Sequence, residues 1–348
     1  MRRVSKIAAA SVATAALAFT ATACGESSTG SSSSSESGGK LKVGMAYDVG
    51  GRGDNSFNDS AARGLDKAKS DLGAETKELT AKASETPADR EARLASLAEG
   101  GYNPVVAVGF AYKDAVDKVA KKHPKVTFGL VDSISEEKNV NNIVFTEEQG
   151  SYLAGVAAAL KSKSGEVGFI GAVDTPLIKK FAAGFQQGVK ETKPSAKVTI
   201  QYLGTGSDIS GFGSPDKGKQ AAKGMLDKGM DVIYTAAGGS GAGAIEAVAG
   251  KKGSWAIGVD SDQALDPSLS KYKASILTSV VKNVDVGVFE LAKSIKDGKP
   301  RTGTSSFSLA KNGVTLTTTG DHIKDIQAKL DEAKAKIADG TIKVRSTL

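Results

Sequence analysis

The chain has 348 residues, 40% of them hydrophobic and 24% charged, so it is long enough and apolar enough to bury the cores of two domains. One cysteine and two histidines exclude a disulfide scaffold and a cysteine zinc site, and they argue against a histidine metal centre. The net charge is +7, but residues 1–23 hold three basic residues and no acid, which leaves +4 for the rest. This dispersed charge and the 5% of aromatic residues argue against a nucleic-acid partner.

The first residues predict an export signal. Basic residues (Arg2, Arg3 and Lys6) precede Ile7–Thr20, an uncharged alanine-rich stretch. This stretch is too weakly apolar to be expected to span a membrane as a stable helix. Small residues then lead to Cys24, the only cysteine. The arrangement resembles a bacterial lipoprotein signal, which implies removal of residues 1–23 and lipid attachment at Cys24. An ordinary secretory signal followed by an unused cysteine is the alternative.

A low-complexity segment follows the signal. Residues 25–39 are almost entirely glycine and serine with two acids, a composition that cannot bury a core and behaves as a flexible spacer. We therefore expect residues 24–39 to tether a folded part that begins near Lys40.

From residue 41 onward, short apolar runs alternate with amphipathic stretches, which predicts alternating strands and helices. The predicted strands of a first series are Leu41–Asp48, Val105–Gly109, Val126–Asp132 and Asn142–Thr146. Its predicted helices are Asp59–Leu72, Pro87–Leu97 and Lys113–Lys122. Thr86 with Asp89 three residues later indicates the start of the second helix, and Ser56 or Asn58 is the expected cap of the first.

A second series repeats the pattern. Its predicted strands are Glu166–Val173, Val198–Leu203, Asp231–Ala237, Trp255–Asp260 and Ser275–Val281. Its predicted helices are Glu148–Lys161, Ile178–Thr192, Lys217–Lys228 and Ala242–Val248. At the end of the chain, Ser305–Ala310 and Val314–Thr319 predict a hairpin around a short glycine-containing loop, and a helix follows over His322–Ala338.

Two series of this kind predict an α/β protein with two doubly wound parallel sheets. Ligands of open α/β sheets bind outside the carboxyl ends of the strands. The residues predicted to leave those ends are Asp48, Gly109, Phe110, Asp132, Asp174, Gly238, Gly239 and Asp260. The loop after the first strand also carries Phe57, an aromatic residue in glycine-rich polar sequence that is available to a planar ligand.

Several motifs together resemble one family. Residues 48–58 fit the pattern Asp-x-Gly-x-x-x-Asp-x-Ser-Phe-Asn, and residues 212–218 resemble Phe/Trp-x-Asp-Pro-x-Lys-Gly with Ser214 in place of the acid. Further matching segments, in order, are 108–110, 128–132, 148–155, 168–171, 182–185, 217–220, 237–243, 258–263 and 278–282. The chain resembles the basic membrane protein (BMP) family of substrate-binding lipoproteins of ABC importers, and within it the branch that binds purine nucleosides.

That resemblance implies a type I periplasmic-binding-protein fold, in which two hinged lobes close on a ligand. The expected N-terminal lobe comprises residues 40–146 plus about 282–304, and the C-terminal lobe comprises 147–281 plus about 305–348. Aromatic rings from both lobes, Phe57 and Phe212, would sandwich the base. The remaining implied contacts are Asn58 and Asp132 with the base edge, and Asp48, Asp260 and Lys282 with ribose, near the backbone of Gly238. Asp54, Phe110 and Asp174 are more simply explained as loop structure or scaffold.

An enzyme is the competing class, because residues 239–244 fit the Gly-x-Gly-x-x-Ala dinucleotide signature between a predicted strand and helix. Its position in mid-chain and the lack of histidine at any predicted strand end argue against this reading, as does the lack of a Gly-x-Ser-x-Gly motif. We therefore expect no catalytic residue, cofactor or metal.

The resulting prediction is a monomeric solute-binding protein, lipid-anchored on the extracytoplasmic face of the cell membrane. It would bind a purine nucleoside and work with ABC permease and ATPase subunits. Two alternatives remain: the same architecture binding another solute, such as a sugar or a flavin-like molecule, and a surface sensor without a permease.

Overall fold

The computed structural model describes residues 40–82, 85–206 and 208–348, so the predicted signal, the tether and Cys24 lie outside the described residues. The first elements in the chain are β1 (Lys42–Ala46), α1 (Phe57–Leu72), β2 (Glu75–Leu79), α2 (Pro87–Glu99), β3 (Val105–Ala107), α3 (Lys113–Lys122), β4 (Phe128–Val131) and β5 (Val140–Phe145). They are followed by α4 (Glu147–Lys161), β6 (Glu166–Asp174), α5 (Pro176–Thr192), β7 (Lys197–Thr205), α6 (Pro215–Asp227), β8 (Val232–Ala236), α7 (Ser240–Ala249), β9 (Trp255–Asp260) and β10 (Ile276–Lys282). The last elements are α8 (Val284–Lys296), β11 (Gly303–Phe307), β12 (Val314–Leu316) and α9 (Gln327–Ala338).

The strands form two six-stranded sheets. The first has the order β2-β1-β3-β4-β5-β11 and is parallel throughout. The second has the order β7-β6-β8-β9-β10-β12 and is parallel except for β12, which runs antiparallel to β10. Their central strands are buried, as apolar strands covered by helices on both faces must be. The predicted α/β class with two doubly wound parallel sheets is confirmed.

Helices cover both faces of each sheet. Helices α1 and α8 pack on one face of the first sheet, and α2 and α3 pack on the other. In the second sheet α4 and α5 share one face, with α9 against α4, while α6 and α7 cover the opposite face. We call the first sheet with α1–α3 and α8 the first lobe, and the second sheet with α4–α7 and α9 the second lobe. The chain passes between the lobes at Thr146, at Asn283 and over residues 308–313.

The predicted hairpin near the end of the chain is wrong. Strand β11 pairs with β5 of the first sheet, whereas β12 pairs with β10 of the second, so the two segments belong to different lobes. The predicted lobe boundary at about residue 305 therefore has to move beyond Phe307, the last residue of β11. The final helix begins at Gln327 after a short 3-10 turn over Lys324–Ile326, later than the predicted His322.

Two elements, β2 and α8, have no counterpart among the predicted ones. The predicted start of α2 is confirmed, since the Thr86 side chain accepts a hydrogen bond from the Asp89 backbone and the Asp89 carboxylate accepts one from the Thr86 backbone.

Candidate functional site

A cleft between the two lobes contains every residue that the sequence analysis proposed for the binding site. Its empty space, counted together with the open solvent at its mouth, is about 540 Å³. The predicted residues that line it are Asp48, Phe57, Asn58, Asp132, Phe212, Gly238, Asp260 and Lys282. The structure therefore brings all eight together, although a ligand contact by any one of them stays a prediction.

The two sheets place equivalent groups at this cleft. Asp132 directly follows β4 and Asp260 ends β9, the fourth strand of each series, and their φ angles are 65° and 64°. This left-handed region is uncommon outside glycine, but aspartate is among the residues that tolerate it. Gly109 and Gly238 likewise follow β3 and β8 with positive φ, and a Cβ on Gly109 would overlap the Asp48 carboxylate. The turned backbone at these strand ends directs the two aspartates toward the space between the lobes.

The β1–α1 loop is organised by Asp54, which the sequence analysis left among loop residues. Its carboxylate accepts hydrogen bonds from the backbone N–H groups of Ser56, Asn58 and Asp59, at 2.9, 2.9 and 3.2 Å. These are the otherwise unpaired donors at the start of α1. Asp54 therefore caps the helix, and the expectation that Ser56 or Asn58 would do so is wrong, since the Ser56 side chain makes no capping bond.

The Asn58 side chain is largely used inside the same loop. Its Oδ1 accepts from the Asp48 backbone N–H at 3.0 Å, and its Nδ2 donates to the Val49 carbonyl and to Asp54 Oδ2, at 3.3 and 2.9 Å. An amide nitrogen has two hydrogens, and an amide oxygen has two lone pairs. One lone pair of Oδ1 is consequently all that Asn58 could offer to a ligand without breaking the loop.

Lys282, at the end of β10, forms an ion cluster that joins the lobes. Its Nζ lies 2.6 Å from Asp132 Oδ2, 3.8 Å from Glu147 Oε1 and 4.0 Å from Asp260 Oδ1, and its side chain is 3% exposed. Three carboxylates thus surround one ammonium. The remaining oxygen of Asp132, Oδ1, is buried without a hydrogen-bond partner among the described residues, which leaves an acceptor for a donor that enters the cleft.

Burial shifts the pKa values of these groups. It raises the pKa of Asp48 to about 6, although the Val49 backbone N–H opposes the shift. It also raises the pKa of Asp260 and of Glu147, against the attraction of the Lys282 ammonium. For Lys282, burial alone would lower the pKa, but the carboxylates of Asp132, Asp260 and Glu147 outweigh it and raise the pKa above its ordinary value. The cleft therefore keeps Lys282 charged.

Aromatic rings form the apolar part of the cleft. Phe57 at the start of α1 and Phe212 in a 3-10 turn of the second lobe are both half-buried and line the same space. The Phe110 ring lies 6.3 Å from that of Phe212, and the Lys282 ammonium lies 4.6 Å from the Phe57 ring centre and 5.7 Å from that of Phe181. Rings from both lobes are thus available to a planar ligand.

Sequence reasoning did not assign a binding role to several residues at the cleft. Phe110 was expected to be scaffold, yet it lines the cleft, as do Leu177, Ile178 and Phe181 on the first turns of α5. Glu147, the first residue of α4, is 1% exposed at its side chain and was not singled out. Its place directly after a buried strand was the one available signal, the same signal that identified Asp132.

The dinucleotide-like motif has a structural explanation in helix packing. Gly239 does precede α7 in the connection from β8, and residues 240–244 form the first turns of that helix, but a Cβ on Gly243 would overlap the Pro215 backbone and one on Gly218 would overlap that of Ser240. These glycines allow α6 and α7 to approach closely. Within the described residues, no group of histidine, cysteine and acidic side chains could hold a metal ion, and no helix is long and apolar enough to cross a membrane.

Comparisons with known proteins agree with this geometry. The model of the Bmp family, described as "ABC transporter substrate-binding protein PnrA-like", matches residues 40–347. The chain is 39% identical to a CD4+ T-cell-stimulating antigen of Listeria monocytogenes, over 87% of each protein. It is 36% identical to the ABC transporter nucleoside-binding protein BmpA of Lactococcus lactis, over 88% of this chain and 89% of that protein.

Among solved structures, an ABC transporter solute-binding protein of Aeropyrum pernix superposes with a TM-score of 0.75 at 28% identity, covering 88% of this chain and 93% of that one. Together with the strand order of the two sheets, this likeness confirms the predicted type I periplasmic-binding-protein fold. The family match covers nearly all of the described residues, and several of the segments that resemble the family contribute residues to the cleft. The chain belongs to the Bmp family of ABC transporter substrate-binding proteins.

Proposed function

We propose that this protein binds a purine nucleoside in the cleft between its lobes and delivers it, without chemical change, to the permease of an ABC importer. The observation that carries the proposal is the composition of one cleft: half-buried phenylalanine rings from both lobes together with buried carboxylates. Of the relatives compared above, the Lactococcus lactis protein is named for nucleoside binding.

The rings would hold the base by stacking. Phe57 and Phe212 come from opposite lobes, so closure brings an aromatic face to each side of a flat ligand. Stacking of a base on an aromatic side chain contributes about 1–3 kcal/mol and depends little on which base it is. Rings alone therefore select planar ligands, and discrimination between them falls to the polar groups.

The polar groups favour a hydroxylated, uncharged ligand. Asp48, Asp132 and Asp260 present carboxylate oxygens, which accept strong charge-assisted hydrogen bonds from ribose hydroxyls or from N–H groups of a base. Asp132 Oδ1, which has no hydrogen-bond partner in the part of the chain that the structure describes, would accept from such a donor. Three carboxylates against the single ammonium of Lys282 repel phosphate, so the cleft favours nucleosides over nucleotides.

Uptake and release would follow from lobe movement. The chain passes between the lobes at Thr146, at Asn283 and over residues 308–313, and we propose that these segments form the hinge. Closure around the ligand would expel water, and opening at the permease would release the ligand. Neither step makes or breaks a covalent bond, so the proposal includes no catalytic residue.

We also propose that the protein acts at the extracytoplasmic face of the membrane. Cys24 would carry the lipid, since small residues precede it after a basic and then apolar segment. Residues 25–39 would separate the anchor from the binding domain as a flexible spacer. The protein would then work as a monomer that meets its permease and ATPase partners by diffusion near the membrane.

Thermal unfolding against a ligand panel tests the function. A ligand at 100 times its dissociation constant should add about 2.7 kcal/mol to the free energy of unfolding. We expect inosine, guanosine or adenosine to raise the melting temperature and ribose, galactose and riboflavin to leave it unchanged. Stabilisation by a sugar or by riboflavin alone would overturn the nucleoside assignment.

Two further measurements complete the test. The Asp260→Asn variant, whose amide keeps the tolerance for positive φ, should lose most of the nucleoside response. Mass spectrometry of small molecules retained through purification should find a nucleoside in the wild-type protein. Isolation of a nucleoside-loaded protein that never associates with a permease would instead indicate a surface sensor.

A further inference from the structure

Ser56 belongs to the loop motif, but the structure does not use its side chain to cap α1. Its hydroxyl donates to Asp260 Oδ2 at 2.8 Å and also lies 3.3 Å from the Val259 carbonyl. The residue is fully buried. Ser56 precedes a helix of the first lobe, whereas Asp260 ends a strand of the second, so this hydrogen bond crosses from one lobe to the other.

Neighbouring hydrogen bonds reinforce the crossing. The Ser261 hydroxyl donates to the Ser56 carbonyl at 2.8 Å, and Arg63 Nη1 donates to that hydroxyl at 3.1 Å. Gln263 Nε2 donates to the Asn55 carbonyl at 3.1 Å. All of these bonds join protein groups, so they need no ligand atom.

The hydrogen bond from Ser56 gives the two carboxylate oxygens of Asp260 different surroundings. Oδ2 is occupied by the hydroxyl, while Oδ1 makes no hydrogen bond to the described residues and lies 4.0 Å from the Lys282 ammonium. Asp260 also lines the cleft. A carboxylate held at one oxygen has its rotation about χ2 restricted, so the other oxygen keeps a defined position.

We propose that Ser56 is a positioning residue that acts across the lobe boundary by holding Asp260 in the orientation that receives the ligand. The proposal rests on the function proposed above and adds to it a residue that orients one of the ligand-binding carboxylates. The hydrogen bond crosses the boundary between the lobes, so the orientation of Asp260 depends on a residue of the first lobe as well as on its own strand.

The first test is the affinity of Ser56→Ala for the nucleoside that stabilises the wild-type protein. Hydrogen bonds to charged groups are among the stronger ones, so we expect a loss of about 10- to 100-fold. The matched control is Ser294→Ala, which removes another buried hydroxyl that donates to the Leu291 carbonyl, in a helix outside the cleft. The control should bind as wild type does.

A thermodynamic cycle separates positioning from general damage. If Ser56 acts through Asp260, adding Ser56→Ala to Asp260→Asn should cost little further affinity, because the carboxylate it holds is already absent. Additive losses would show that Ser56 acts elsewhere and would overturn the proposal.

The second test needs no ligand. Burial raises the pKa of Asp260, against the lowering by the Lys282 ammonium and by the Ser56 hydroxyl; Asp132 also raises this pKa, and Arg63 of α1 lowers it. Removing the hydroxyl should therefore shift the titration of the Asp260 carboxyl carbon, followed by 13C NMR, to higher pH. The Asp260→Asn spectrum assigns the signal, and Ser294→Ala should titrate as wild type does.

The outcomes distinguish this proposal from the function. A protein that binds no nucleoside but shows the shifted titration would remove the proposed function and keep Ser56 as the residue that holds Asp260. A protein that binds nucleosides but titrates identically with and without the Ser56 hydroxyl would keep the function and overturn the role of Ser56.

Discussion

The two lobes contribute to the cleft through connections of very different length. In the first lobe, β1 leads to α1 through residues 47–56, a glycine-rich loop held by hydrogen bonds from backbone N–H groups to the side chains of Asp54 and Asn58. In the second lobe, Thr175 alone separates β6 from α5. The strand order is the same in both sheets, so the two connections occupy equivalent places in their lobes although their lengths differ.

That difference determines the chemistry of each wall. The long loop brings Asp48 and Asn58 to the cleft, whereas the short connection brings the first turns of α5, with the apolar side chains of Leu177, Ile178 and Phe181. The equivalent strand ends, by contrast, supply equivalent aspartates from both sides. The equivalent strand ends of the two sheets thus supply similar acidic groups, and the long β1–α1 loop adds further polar groups from the first lobe only.

The largest expected effect concerns the point where the walls meet. Lys282→Met should lower the free energy of unfolding by about 3–5 kcal/mol, because Asp132 and Asp260 would remain buried without the ammonium, whereas Glu147 would keep only Lys180, at 3.5 Å. Nucleoside binding should be lost with it. Urea denaturation and calorimetric titration measure the two quantities.

The control for this variant is Lys293→Met. Lys293 pairs with Asp297 on the exposed side of α8, where such pairs contribute less than about 1 kcal/mol. An equal loss of unfolding free energy in the two variants would mean that the ion cluster does not hold the lobes together. The aspartates at the equivalent strand ends would then add nothing to stability through Lys282.

A smaller effect is expected when the aromatic rings are removed, and it shows how much each lobe contributes to ligand affinity by stacking. Phe57→Ala and Phe212→Ala should each weaken nucleoside affinity by about 5- to 150-fold, the equivalent of about 1–3 kcal/mol per stacked ring. Phe289→Ala, on the α8 surface under Lys67, serves as the control and should bind as wild type does. A large loss for one ring and none for the other would show that a single lobe supplies the stacking.

The smallest expected effect concerns the two connections that follow the first strand of each lobe. Asp54→Ala removes three backbone hydrogen bonds at the start of α1 and should cost about 2 kcal/mol of stability at pH 5. Thr175→Ala removes one long cap of 3.5 Å from α5 and should cost about 0.5–1 kcal/mol. Thermal or urea unfolding of both variants measures the difference.

The pH dependence gives this comparison a second readout. Burial raises the pKa of Asp54 to about 6, above that of the unfolded chain, so its stabilising contribution is greatest at low pH and declines as the pH rises through about 6. The advantage of wild type over Asp54→Ala should therefore shrink between pH 5 and pH 8, whereas that over Thr175→Ala should not change. A constant difference for Asp54 would contradict its burial.

Much of the site could be predicted because parallel strands end at one edge of their sheet. Asp48, Asp132 and Asp260 each follow a recognisable apolar run, and this local signal is enough to place them near one another. The pairing of Glu147 with Lys282 and the cross-lobe bond of Ser56 could not be found in this way. The two residues of each pair lie more than a hundred positions apart, and only the folded chain brings them into contact.

The errors in the fold have the same origin. The two runs that become β11 and β12 resemble a hairpin in sequence. In the structure β11 pairs with β5 of the first sheet and β12 pairs with β10 of the second. Strand β2, with the sequence Glu-Thr-Lys-Glu-Leu, lies at a sheet edge and has no apolar alternation. In α8, Val284, Val286 and Val288 alternate as in a strand, and Val286 is in fact exposed.

Lys282 ends β10, and Asn283 after it is one of the points where the chain passes to the other lobe. A backbone torsion at this point therefore changes the angle between the lobes and the position of the ammonium together. Under the proposed hinge motion, a ligand that restrains this side chain would also restrain the joint, and a loaded protein would differ in shape from an empty one.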